Sequence, residues 1–489
     1  MAASNALATP APAAPRERLR GLRWLVAPAW IAGIALVLWL LFGGFTNYDA
    51  TYSLVWGHDL ADGRLPDFGI ALTPTPHPLT TLVGLLLAPL SPDAADAVLV
   101  AIGFLALGAL GYLVHRLGTH WFGWPIGLLA AVIVITREPV LSYGVRAYLD
   151  LPFVVLCLAA LLIEARRTRA GWPVLALLAL AGLLRPEAWL FSLVYLAWLA
   201  FGRRDRLHLA GLALLAVAAP AVWLLTDLIV AGDALFSFTG TRAKTALLER
   251  STGIGEIPGT LPRRLGEVLR EPVLAGAVAG VVLALGWLRG RATLLLAATV
   301  LALAAYALGG VGGVPLLTRY LLLSGALCSL LCALGALGWR DLEHGSRLRR
   351  AWIVVGALVL RALVAFIPAQ VDRLGTLRDS IAAQERIRDD LEAVVRTPAF
   401  AAAARCGPIA VPNHRPAPLL SLWLDRPPRQ IVPAQVARPR EGVFIAPASA
   451  EVEEQFVLDR RDPERLTAPP PPGFRAVGGN RSWRLYARC

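Results

Sequence analysis

The sequence predicts an all-α polytopic membrane bundle of about 11 transmembrane helices, with a small α+β extracytoplasmic domain at its C-terminal end. Three observations predict it. Of 489 residues, 56% are apolar and only 17% charged, whereas soluble domains carry about a quarter charged residues; the mean hydropathy is +0.59. The apolar residues gather into blocks near the length of about 20 residues that one hydrocarbon crossing needs. Arginines stand at the ends of alternate blocks, as the positive-inside rule requires. A soluble globular enzyme is excluded.

Residues 1–23 are rich in Ala and Pro, then carry Arg16, Arg18, Arg20 and Arg23; they read as a disordered cytoplasmic N-terminus. The run from Trp24 to Gly44 is too long for a signal peptide and lacks its small-residue cleavage site, so it reads as an uncleaved first span. Further apolar blocks fall near 94–114, 121–136, 148–164, 172–185, 188–201, 208–230, 272–288, 292–309, 316–338 and 351–368, giving a transmembrane domain over 24–368. The two short blocks around Arg185-Pro186-Glu187 form a hairpin whose tip is expected to be buried in protein rather than lipid. Leu79–Leu90, about a dozen residues bounded by prolines, is expected to be a helix along the outer interface within a long outer loop over 45–93.

With the N-terminus cytoplasmic, the inner gaps hold His115 and Arg116, then Arg166, Arg167 and Arg169, then Arg203, Arg204 and Arg206, then Arg289 and Arg291, and finally Arg340, Arg347, Arg349 and Arg350. The loop from Phe45 to Pro78 instead carries Asp49, Asp59, Asp62 and Asp67 against Arg64. This asymmetry explains the net charge of +13 by membrane orientation and argues against a nucleic-acid partner. Lys244 is the single lysine; so strong an arginine bias suggests a GC-rich genome, hence a bacterial cytoplasmic membrane.

Beyond Pro368 the composition changes, and 369–489 reads as the extracytoplasmic domain. Leu374, Leu377, Ile381, Ile387, Leu391 and Val394 recur at helical spacing over 372–396. Short β-like runs follow at Ile409–Val411, Val443–Ala446, Phe456–Leu458, Phe474–Val477 and Trp483–Tyr486. Cys406 and Cys489 bracket this region and could pair if it lies outside the cytoplasm. Cys157, Cys328 and Cys332 lie in apolar blocks, where lipid-facing or packed thiols are expected.

Ionisable groups kept at the ends of spans call for a functional reading. Those assigned to the outer side are Asp49; the loop with Asp59, Asp67 and His77; Arg146 and Asp150; Arg185 with Glu187; and Arg319. Arginine forks suit a phosphate, and a carboxylate can take a proton from a hydroxyl or hold a divalent metal. Each has a plainer reading. Asp49 could cap a helix, and Arg146 and Asp150, four apart, could form an intrahelical ion pair. His77 could be structural, Glu187 could pair locally, and Asp59, Asp62 and Asp67 read as solvated loop residues. Trp56, Trp121, Trp124 and Trp189 suit interfacial belts.

These motifs resemble the GT-C superfamily of integral membrane glycosyltransferases, especially the relatives of protein O-mannosyltransferases and aminoarabinose transferases. The resemblance lies in Asp49 after the first span, His77-Pro78-Leu79 before the next, Tyr148-Leu149-Asp150-Leu151-Pro152 opening the fourth, the hairpin from Leu183 to Trp189, and a soluble outer C-terminal domain. It implies transfer of a sugar from a polyprenyl-phosphate carrier to a glycan, lipid or protein acceptor outside the cytoplasm. It further implies catalytic roles for Asp49 and Asp150, with His77, Arg146, Arg185, Glu187 and Arg319 gripping donor phosphate or substrate. The paired acids usual after the first span are missing, because Ala50 follows Asp49. The metal question therefore stays open, with Mg or Mn held by Asp49 and Asp150 if a metal is used. A transporter or lipid flippase, and an inactive GT-C-like scaffold, are the alternatives.

Overall fold

The structure, a computed structural model, describes residues 25–201, 206–457 and 470–489. The expected N-terminal segment 1–23, Arg203 and Arg204 lie outside the described residues. In chain order, α1 (Val26–Phe42) leads to two short helices, α2 (Tyr48–Ala61) and α3 (Pro78–Leu87). The long α4 (Pro92–Phe122) is followed by α5 (Trp124–Ile135), α6 (Glu138–Val145) and α7 (Asp150–Arg166). The expected hairpin is α8 (Trp172–Leu184) with α9 (Glu187–Ala200); then come α10 (Arg206–Ala231), α11 (Phe236–Leu247) and α12 (Ile257–Leu269). The bundle closes with α13 (Glu271–Trp287), α14 (Arg289–Val311), α15 (Leu322–Leu337) and α16 (Arg347–Ala365).

Every expected apolar block is helical, but length and composition support fewer crossings than about eleven. Five helices among the described residues are long and apolar enough to cross, or up to seven if each of two bent pairs is one span. The pairs are α5–α6, bent by 65°, and α12–α13, bent by 108°. Helices of 10–17 residues, including α1, α8 and α9, fall short of that test; covering their polar ends with neighbouring protein is what lets such short helices sit at membrane depth. The sequence pattern missed α6, α11 and α12, which are short or polar and lie between the apolar blocks. Prolines at the first turns of α3, α4, α5, α8 and α13 start helices where the missing N–H has no partner to lose.

The bundle is organised around α15, whose residues from Leu322 to Ala336 are all buried, packed by α13, α5, α14 and α16. Of the aromatics expected at interfaces, Trp56 and Trp121 are instead buried, whereas Trp124 is exposed. Trp56 joins Tyr52 and Phe68 in a small core under α2, so its ring packs the loop over 45–93 together. Cys157, Cys328 and Cys332 are buried.

The crossing of α2 and α3 fixes the loop over 45–93. A Cβ on Gly84 would overlap the Ser53 carbonyl, and one on Gly57 would overlap the Gly84 backbone. Gly84→Ala must push two backbones apart, at about 1–3 kcal/mol; the expected result is a lowered melting temperature of the purified protein, and an unchanged one would contradict this packing.

The C-terminal domain hangs on α17 (Ile367–Val395) and α18 (Pro398–Ala403). It comprises β1 (Ile409–Val411), α19 (Ala417–Leu424), β2 (Ile431–Pro433), β3 (Gly442–Pro447), β4 (Arg475–Gly479) and β5 (Trp483–Arg488), in the sheet order β2-β1-β3-β5-β4. β1 is parallel to β2 and β3, while β5 is antiparallel to β3 and β4. β1 is buried throughout, as a parallel strand covered on both faces must be. Ile387, Leu391 and Val394 of α17 share one core with Ile409, Val443 and Trp483, which realises the helical spacing read from the sequence. The β-like run at Phe456 is instead a helical turn over Glu453–Val457, with Leu458 outside the described residues, and β2 was not anticipated. Cys406 and Cys489 form a disulfide. The domain is tied to the bundle by α17: Gly44 N donates to Glu385 Oε1 at 2.7 Å, and Arg388 donates to Thr46 O at 3.0 Å and Asp96 Oδ1 at 2.9 Å.

Candidate active site

A cavity of about 920 Å³ lies between the bundle, the loop over 45–93 and the C-terminal domain. Asp49, His77, Arg146, Asp150, Arg185, Glu187 and Arg319 all line it, so every charged or imidazole residue singled out for catalysis or substrate binding meets in one place.

Asp49 enters from the first turn of α2. It is not the cap. Asn47 takes that part, its Oδ1 accepting from the Asp49 and Ala50 amides at 2.8 and 3.2 Å, while its own Nδ2 donates to Arg146 O at 2.8 Å. The Asp49 carboxylate is thereby left for the cavity, where Arg319 Nη1 donates to Oδ2 at 2.8 Å. Arg319 sits in a 3-10 turn over Thr318–Leu321 ahead of α15, and its guanidinium lies 5.4 and 5.5 Å from the Tyr148 and Tyr320 rings.

Asp150 and Arg185 form a second, deeper pair. Both are buried, and Arg185 donates to Asp150 and to Glu187. The guanidinium is also held 3.8 Å from the Tyr320 ring centre and 5.5 Å from that of Phe153. At the turn between α8 and α9, Arg185 is buried while Glu187 is half-buried and Pro186 exposed, so the expectation of a tip buried in protein holds for Arg185 only; an Arg flanked by two carboxylates and two rings can be desolvated where a lone one could not.

Arg146 does not pair with Asp150. It ends α6 and Asp150 begins α7, so the two share no helix; Arg146 instead donates to Ser142 O at 2.9 Å and Ser142 Oγ at 2.6 Å. His77 precedes α3 with its ring edge-on to Trp223 at 5.5 Å. Burial pushes its pKa down to about 4, so it is neutral at pH 7. Asp59 and Asp62 pair with Arg64 at 3.2 and 2.9 Å, and Asp67 accepts from the Gly69 amide; these three stay local to the loop.

Several buried polar atoms in the cavity have no partner among the described residues: His77 Nδ1, Asp150 Oδ2 and Arg319 Nε. Unpaired buried groups are costly, and their convergence suits a ligand that supplies both donors and acceptors. Sequence reasoning missed two further members. Lys244, on α11, lines the cavity and donates to Thr73 Oγ1 at 3.2 Å, and burial pushes its pKa down to about 8. Tyr320 stacks under Arg185. The available signals were that Lys244 is the chain's single lysine and that Tyr320 adjoins Arg319.

Among the described residues no group of three or more His, Cys, Asp or Glu side chains is placed to hold a metal ion, and Asp49 and Asp150 each face an arginine.

No family model matches the sequence, and no curated protein matches it. Among solved structures, the fold is shared with ArnT from Cupriavidus metallidurans. The apo form gives a TM-score of 0.53 at 15% identity, covering 96% of this chain and 98% of that one. The form bound to undecaprenyl phosphate gives 0.51 at 13%, covering 95% and 98%. The Archaeoglobus fulgidus oligosaccharyltransferase tethered with an acceptor peptide gives 0.51 at 13%, covering 89% and 70%. The chain therefore shares the overall fold of these solved structures along nearly its whole length.

Proposed function

We propose that this chain is a glycosyltransferase that moves a sugar from a polyprenyl-phosphate carrier to an acceptor hydroxyl on the outer side of the bacterial cytoplasmic membrane, with its N-terminus cytoplasmic and its C-terminal domain outside. The observation that carries the reading is the gathering of Asp49, Asp150, Arg185, Arg319 and Lys244 around one cavity. Solved structures of this fold hold undecaprenyl phosphate in one case and an acceptor peptide in another, which supports a lipid-linked donor and a separate acceptor.

In the proposed step the acceptor oxygen attacks the anomeric carbon, the bond from that carbon to the phosphate oxygen breaks, and the acceptor proton passes to Asp49. The polyprenyl phosphate leaves as an anion facing Arg185, Arg319 and Lys244, whose fixed charges stabilise it as it forms. The donor phosphate competes with Asp49 for Arg319, so donor binding frees the base when it is needed. Neutral His77 offers a hydrogen bond without adding charge. Asp150 holds Arg185 in place.

Incubating the purified protein with a panel of tritium-labelled undecaprenyl-phosphate sugars and membrane-extracted acceptors tests this. Release of undecaprenyl phosphate with label in the acceptor is expected; binding of the donors without any turnover would favour the scaffold reading instead.

The grip on the donor should depend on pH. Lys244, titrating near 8, is cationic below that pH and neutral above it, whereas the carrier phosphodiester keeps one charge throughout. Donor affinity is therefore expected to fall as pH rises from 7 to 9, by about tenfold for loss of one charge-assisted contact. Lys244→Gln should bind weakly at both ends of the range, and a parallel pH profile in that variant would remove Lys244 from the site.

A further inference from the structure

A second cavity of about 350 Å³ adjoins the first, sharing Arg146 and Gln384 with it. Two helix faces and one elbow build it. α6 presents Glu138, Ser142 and, at its end, Arg146 at four-residue steps, while α17 presents Arg373, Thr376, Ser380 and Gln384 at steps of three and four; both spacings place the residues on a single face. The third wall is Arg270, at the sharp turn between α12 and α13.

Three guanidinium groups therefore face one carboxylate, a surplus of two positive charges (three minus one) around one pocket. The carboxylate does little to neutralise them: Arg270 reaches Glu138 only at 4.0 Å. Arg373 Nη1 is buried with no partner among the described residues, its guanidinium resting 5.2 Å from the Phe366 ring. Arg270 also has φ 68° and ψ 162°, a conformation close to glycine-only that costs energy for any residue with a Cβ. A strained arginine, an orphaned guanidinium nitrogen and an unbalanced cluster of like charge are each unfavourable alone, and one bound oxyanion would relieve the last two at once.

We propose that this pocket is a phosphate-binding subsite, separate from the donor site, whose occupant is a phosphate ester carried either by a phospholipid headgroup or by a water-borne acceptor. The hydroxyls of Ser142, Thr376 and Ser380 add neutral donors around the oxyanion. Sharing Arg146 and Gln384 with the main cavity places the bound phosphate next to that cavity, but the subsite stands whether or not sugar transfer occurs.

The full-length protein is titrated with glycerol 3-phosphate in detergent, following thermal stabilisation, and reconstituted with phosphatidylglycerol or phosphatidylcholine before delipidation and native mass spectrometry. R373Q and R270G are the test variants, and K244Q is the control that disturbs only the main cavity. Saturable stabilisation by glycerol 3-phosphate, weakened about tenfold or more in both test variants and kept in K244Q, identifies a water-borne phosphate ester. Phosphatidylglycerol retained by the parent protein and lost from both test variants, with no saturable effect of glycerol 3-phosphate, identifies a lipid headgroup. R270G should melt no lower than the parent without ligand, because glycine suits the backbone there, so loss of binding cannot be put down to misfolding. Test variants that bind both probes like the parent overturn the subsite. Absence of sugar transfer alongside R373-dependent binding would sink only the glycosyltransferase reading.

Discussion

Asp49→Ala is expected to abolish sugar transfer, lowering turnover by about two to four orders of magnitude, the usual contribution of a general base. The structure makes this a clean experiment. Asn47, not Asp49, caps α2, so the helix keeps its start. The Arg319–Asp49 pair keeps each side chain about a fifth exposed to the cavity, so losing it costs less than breaking the buried Asp150–Arg185 pair. Arg319 remains held by Tyr148 and Tyr320. Expression, membrane insertion and melting temperature should therefore match the parent, while Asp49→Asn, which keeps the shape and loses the base, should be as inactive as the alanine. Turnover at the parent rate in either variant would remove Asp49 from the chemistry. A modest loss that tracks donor affinity alone would instead assign Asp49 to positioning Arg319.

Arg185→Ala should have the largest effect on the fold itself. Arg185 is the shared partner of Asp150 and Glu187, and its removal strands two carboxylates in a buried setting. Breaking a buried pair from one side costs about 3–5 kcal/mol, enough to lower the yield of monodisperse protein and shift its melting temperature strongly. Replacing the carboxylates as well, in Arg185→Gln with Asp150→Asn and Glu187→Gln, removes the stranded charge and should recover most of that stability. It should not recover transfer, because the leaving phosphate has lost its guanidinium. Stability restored together with activity would mean that the triad serves packing only; stability lost equally in the single and triple variants would mean that the ion pairs are not what hold the hairpin tip.

The two expectations differ in how legible they were. Arg185-Pro186-Glu187 stands out in the sequence because charge between two apolar blocks needs a reason, and the reason is local: the blocks form adjacent helices and their turn must be satisfied inside protein. Asp49 stood out by position alone. Its partner, Arg319, lies 270 residues away, and no periodicity links them. Arg146 and Asp150 illustrate the opposite case, in which helical spacing proposed a pairing that an intervening break between α6 and α7 removed. Lys244 was noticed only for its rarity, because α11 is polar and short and gives no apolar pattern that would aim it into the cavity.

By itself the sequence determined which segments are greasy, where helices begin, that α17 presents one apolar face, and that acidic and guanidinium groups collect at the ends of spans. Those properties follow from local periodicity, proline and charge placement, which act over a few residues. Only the tertiary structure decided the partner of each charge, the depth of each pair and the adjacency of the two cavities. Coulomb and hydrogen-bond energies at 3 Å depend on which helices lie side by side, and that is fixed by packing such as the Gly57–Gly84 crossing and the docking of α17 onto the link between α1 and α2, contacts between segments that no pattern along the chain connects.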